Sequence, residues 1–102
     1  VPGQFRQELL EKNVFTTFDA IKSGLRTATT RSEKFKCGEN LIFKSNKTNE
    51  RLVCKVICDS YPVTNITREE WSKLEGWLPN YFDLNPDTLN KFQFKFEYLY
   101  SI

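Results

Sequence analysis

The chain has no histidine and no methionine, and its 102 residues include only three cysteines, four glycines and four prolines. Without histidine, every Ser-His, Cys-His and His-metal arrangement is excluded. Any chemistry must run on Lys, Arg, Asp, Glu, Ser, Thr, Tyr or Cys, and neither a metal nor a cofactor is expected. Cys37, Cys54 and Cys58 are odd in number and form no CxxC, which suits a reduced, cytoplasmic setting better than a disulfide framework. No apolar run approaches the ~20 residues of a membrane span, so no membrane partner is expected. A net charge of only +2 excludes polyanion binding by bulk charge but allows a local basic cleft. Repeats, low-complexity tracts and linkers are also lacking.

What is present is a balanced composition, 39% hydrophobic and 27% charged, as in a folded domain able to bury one modest core. The expectation is one domain over residues 1–102, with 1–13 an N-terminal extension and 14–100 the core, and a monomer. Gln4 to Glu11 reads as a helical turn or two. Thr16 and Asp19 resemble a capping box that opens a short helix closed at Gly24. Leu41–Lys44 and Arg51–Asp59 alternate as strands joined by a polar tip. Thr67, Glu69 and Glu70 signal a helix start and Gly76 its stop. Asn85–Leu89 looks like a third helix start. In the last strand Phe92, Phe94, Phe96, Tyr98 and Tyr100 fall on one face and Gln93, Lys95 and Glu97 on the other. The aromatic row reads as core. Short strands with a few helices predict an α+β fold, a small curled sheet or barrel with helices at its side.

The most informative stretch is Gly24-Leu25-Arg26-Thr27-Ala28-Thr29-Thr30-Arg31. As a strand, it places Arg26, Ala28 and Thr30 on one face and Thr27, Thr29 and Arg31 on the other. Two guanidiniums and three hydroxyls in six residues make poor core, because each buried donor needs a partner. They suit a cleft for an anionic or hydrogen-bonding ligand; an exposed, Thr-rich strand is the alternative. Trp71 reads as core, whereas Trp77, between Gly76 and Pro79, lies in a segment suited to a site.

Taken with the Lys36-Cys37-Gly38-Glu39 turn, Leu74-Glu75-Gly76-Trp77 and the Phe92–Leu99 strand, that stretch resembles the ASCH family of PUA-like domains over roughly residues 15–100. The family signature is Gly-x-Lys-x-x-Glu-x-Arg. Gly24 and Arg31 match it; Arg26 stands where Lys is usual, and Thr29 where many members have Glu. The resemblance implies a PUA-like β-barrel of about five or six strands with two or three flanking helices, binding RNA or a nucleotide in a cleft. Gly24, Thr27, Arg31 and Trp77 are the implied ligand-binding residues, beside Arg26 and Thr29. A small bacterial branch, with Thr at the signature Glu position, hydrolyses 4-acetylcytidine. Its catalytic residues carry over to Arg26, Thr29 and Glu75, with Glu69 or Glu70 as alternatives for the acid. Amide hydrolysis on an acylated nucleoside, and ribonuclease action, are therefore the alternatives to binding. Arg26 cannot act as the base that a lysine can become.

Overall fold

The computed structural model describes residues 3–102. Its elements are α1 (Gln7–Glu11), α2 (Thr17–Lys22), β1 (Ala28–Arg31), β2 (Asn40–Lys44), β3 (Arg51–Val56), β4 (Tyr61–Pro62), α3 (Arg68–Glu75), α4 (Tyr81–Leu84) and β5 (Phe92–Ser101), with 3-10 turns at Val63–Asn65 and Pro86–Asn90. The fold is α+β, a curled antiparallel five-stranded sheet with helices packed at its side. Among the described residues, no helix is long and apolar enough to cross a membrane.

The ten-residue strand β5 organises the sheet. β1 runs along one edge of its first half, from Ala28 opposite Lys95 to Arg31 opposite Phe92. β4 pairs with Gln93 and Phe92, and β3 takes the stretch from Phe96 to Ser101. β2 closes the order β1-β5-β3-β2 as a hairpin partner of β3. Phe94 and Phe96 join Ile21, Leu52, Cys54 and Val56 in the main core. Phe35 packs 4.6 Å from Phe94 and Phe43 5.2 Å from Phe96, centroid to centroid. This is the expected aromatic row, with one correction. The register with β3 passes from Cys54 opposite Tyr98 to Val53 opposite Tyr100, so Leu99 is an extra residue. Such a bulge reverses the alternation, and Tyr100 is exposed rather than core.

Helix α3 forms where its caps predict. Thr67 accepts the Glu70 N–H at 3.1 Å, Glu69 and Glu70 lie in the positive first turn, and Gly76 ends the helix at φ +83°. Its inward residues are Trp71, Ser72 and Glu75. Trp71 packs with Val63 and Phe82, its ring 4.6 Å from that of Phe82. Thr16 caps α2 in the same manner, accepting from Asp19.

Other expectations are corrected at their edges. The first strand begins at Ala28, because Gly24 turns at φ +79° and Leu25 and Arg26 both donate to the Ala20 carbonyl. β3 stops at Val56. Asn85–Leu89 is a 3-10 turn, where the backbone closes too tightly to continue. The flanking helices include one further short element, α4. The N-terminal helix spans only Gln7–Glu11. Residues 4–6 instead lie along 76–78 as a strap: Arg6 N–H donates to Gly76 O and Leu78 N–H to Gln4 O, both at 2.8 Å, and Phe5 bridges Trp77. The strap fits closely, since a Cβ on Gly3 would lie 2.5 Å from the Tyr81 ring.

Gly76 and Gly38 give a direct test of this packing. Both have positive φ, but a Cβ at Gly76 would meet Leu9 Cδ2 at 2.8 Å, while at Gly38 it would meet open space. Gly38→Ala is expected to cost about 1 kcal/mol from backbone strain alone. Gly76→Ala should cost clearly more in urea unfolding, because Leu9 must also move. Equal losses would contradict the packing of α1 on the α3 terminus.

Candidate ligand-binding cavity

Three elements converge on one buried cluster. Arg26 enters from the turn before β1, Glu75 from the last turn of α3, and Gln93 from β5. The Arg26 guanidinium, 8% exposed, lies 3.5 Å from Glu75 Oε1, and Glu75 is 2% exposed. Arg26 also donates to the Glu75 main-chain carbonyl at 3.0 Å. It thereby satisfies a carbonyl at the negative end of the helix. Glu75 Oε2 accepts from the Thr30 hydroxyl and, at 2.9 Å, from Gln93 Nε2. Tyr61 donates its hydroxyl to the Gln93 carbonyl oxygen, and Trp71 Nε1 donates to Thr30 Oγ1 at 3.0 Å. Among the described residues no buried polar side-chain atom lacks a partner.

Burial acts on the titrating members in the expected sense. It raises the Glu75 pKa, against the opposing pull of the Arg26 charge and the bonds from Thr30 and Gln93. Burial likewise pushes the Tyr61 phenol up to about 12, so it stays a neutral donor to Gln93. Arg26 remains charged, because a guanidinium does not lose its proton at working pH.

The cluster floors a cavity of about 120 Å³ lined by Arg26, Thr30, Arg31, Trp71, Glu75, Trp77, Tyr81, Thr88 and Lys91. Three cations face one carboxylate, so the cavity carries an excess of positive charge. Trp77 is half-buried in its wall, with Arg26 Cζ 5.5 Å from its ring centre. Phe5 of the strap stacks on Trp77 at 4.7 Å and 10°. That contact rigidifies the wall from behind.

The structure thus brings Arg26, Arg31, Glu75 and Trp77 together. Glu69 and Glu70 are exposed on the first turn of α3, which leaves Glu75 as the acid at the cavity. Thr29 is fully buried and does not line the cavity; its Oγ1 accepts from Arg26 at 3.1 Å and Arg31 at 2.6 Å. It therefore positions both guanidiniums, while the hydroxyl that faces the cavity is that of Thr30. Gly24 and Thr27 line a different, wider hollow on the far side of Arg26. Gln93, Lys91 and Thr88 escaped the sequence reading, whereas Tyr81 reads there as a ring able to stack a base. Thr30 was legible from period two, since it shares a face with Arg26.

Comparison of the chain with protein-family models, curated proteins and solved structures finds no match.

Replacing Glu75 by Gln tests the electrostatics. A carboxyl whose folded pKa lies above its ordinary 4.5 contributes stability below that value and loses it as pH rises through the folded pKa. Glu75→Gln keeps one acceptor for Thr30 and Gln93 but turns an amide donor toward the Arg26 guanidinium, and so lowers stability overall. The gap to wild type should narrow as pH rises above about 4.5, measured by thermal unfolding at successive pH values. Parallel curves would show that Glu75 titrates normally.

Proposed function

We propose that the chain is an ASCH-like domain that binds RNA or a nucleotide, holding one base or base-sized group in the Arg26–Glu75–Trp77 cavity. The observation that carries this reading is a guanidinium–carboxylate pair, held in place by Thr29, Thr30 and Gln93 and buried at the floor of a cationic cavity with an indole in its wall. A pair buried in this way contributes little stability, but it presents donors and an acceptor in fixed positions to a ligand edge. Arg31 and Lys91 supply positive charge for phosphate, and the half-buried Trp77 indole gives the cavity an apolar wall. The cavity is small against the roughly 300–1,000 Å³ of drug-sized ligand pockets, which favours a single planar group over a whole nucleotide. The resemblance of Gly24–Arg31 and of Leu74–Trp77 to the ASCH pattern supports the same reading.

A second reading rests on the Thr30–Glu75 hydrogen bond. A hydroxyl bonded to a carboxylate of raised pKa is a nucleophile beside its base. In amide hydrolysis of an acylated cytidine, Thr30 Oγ would attack the acyl carbon and pass its proton to Glu75. The oxyanion would form against a guanidinium. The amine would leave with the proton from Glu75, and water would then cleave the acyl ester. Here Thr30 takes the role that the family pattern maps to Thr29.

Calorimetric titration with cytidine monophosphate and 4-acetylcytidine tests both readings. Arg26→Ala and Lys91→Ala should each weaken nucleotide binding, the former at least tenfold; unchanged affinity in both would overturn the binding reading. Acetate release abolished in Thr30→Val but kept in Thr29→Ser would support hydrolysis. Absence of turnover in wild type would retire it.

A further inference from the structure

Trp77 also belongs to a second hollow, of about 640 Å³, between the strap, the start of α2 and the tip of the β2–β3 hairpin. Its walls include Phe5 and Phe15, and Phe15 is 64% exposed, more than any other large hydrophobic side chain described. A ring so open earns nothing from core burial, yet it stands beside a concave surface rather than on a convex one. Lys44 and Lys47 face the same hollow, and neither has an ion pair among the described residues. Of the acids there, Glu50 is neutralised by Lys22 at 2.8 Å, which leaves Asp19 against two lysines. The hollow thus combines an exposed aromatic face, unpaired ammonium groups and a wall residue, Trp77, that it shares with the base-sized cavity.

We propose that this hollow is a subsite for the neighbouring nucleotide of a single strand. Its base would stack on Phe15 and its phosphate would lie near Lys44 and Lys47. The inference rests on the reading of the Arg26 cavity as a base site and extends it from a free nucleotide to a chain of at least two. An aromatic platform with flanking cations recognises a single strand without reading sequence, and a strand that occupied both sites would gain from linkage. The two hollows differ in kind. The cavity is small, polar and walled by buried partners, so it selects; the hollow is broad and open, so it tolerates.

The test titrates the full chain with cytidine monophosphate, then with ribo- and deoxyribodinucleotides that place the second nucleotide on either side of the cytidine. Wild type should bind at least one dinucleotide about tenfold tighter than the monophosphate. Phe15→Ala, a change at an exposed ring, should remove that gain while leaving monophosphate affinity unchanged. Lys44→Ala with Lys47→Ala should flatten the salt dependence of dinucleotide binding alone. A preference between the sugars identifies the strand as RNA or DNA. Monophosphate binding with no dinucleotide gain, or a gain that survives Phe15→Ala, overturns the subsite and leaves the base site standing. No binding of either probe overturns both.

Discussion

The Arg26–Glu75 pair is the contact around which the rest of this domain is arranged. Two charges removed from water lose several kcal/mol of hydration each, and their mutual attraction restores this only with good geometry and further hydrogen bonds. The chain meets that condition from every side. Thr30 and Gln93 donate to one carboxylate oxygen, the guanidinium approaches the other, and a second guanidinium nitrogen takes the Glu75 carbonyl. Thr29 fixes the guanidinium from behind. Each donor comes from a different strand or turn, so the end of α3 is tied to β1 and to β5 at once. The pair also explains why α3 stops where it does. Gly76 turns the chain at φ +83°, which leaves Glu75 as the last helical residue with its carbonyl free for Arg26.

Around this pair the fold divides its labour between a rigid apolar side and a polar side. Phe94, Phe96 and their neighbours on β3 form a core in which small changes of volume are costly. The cavity side is held by hydrogen bonds and stacked rings, with the strap completing it. Arg6 donates to Ser72 Oγ at 2.7 Å and pairs with Glu69 at 3.1 Å, while Phe5 backs Trp77. The strap thus backs the cavity wall through Trp77 without lining the cavity itself. Its residues pair with 76–78 and seat Phe5 between Trp77 and the Leu9–Val14–Ala20 cluster, so order in the strap supports order at Trp77.

Much of this was legible in the sequence because local chemistry decided it. Thr67 and Gly76 mark both ends of α3, Thr16 marks the start of α2, and alternation marks β2, most of β3 and the inward row of β5. Arg26 and Arg31 stand out as unsuited to a core, Trp77 by its place beside Gly76 and Pro79, and Glu75 only through the family resemblance, and the fold sets all four around one cavity. What stayed hidden depends on contacts between distant segments. Gln93 sits on the polar face of β5 with Lys95 and Glu97, and it is buried where Glu75 of α3 and Tyr61 of β4 bond to it. Leu99 carries no turn residue to announce its bulge, so Tyr100 reads as core and is not. The strap pairs with residues some seventy positions away, which no local pattern encodes. Lys91 looks like an ordinary surface lysine until the Pro86–Asn90 turn carries it to the cavity.

The central claim is that Arg26 and Glu75 act as one unit, each tolerable in the interior only because of the other. Urea unfolding of Arg26→Met, Glu75→Gln and the double variant measures this directly. Each single change should cost about 3–5 kcal/mol, because it leaves a buried charge or polar group without its partner. The double variant should be no less stable than the worse of the two, with a coupling of at least about 1 kcal/mol. Losses that simply add would show two independent side chains and contradict the account.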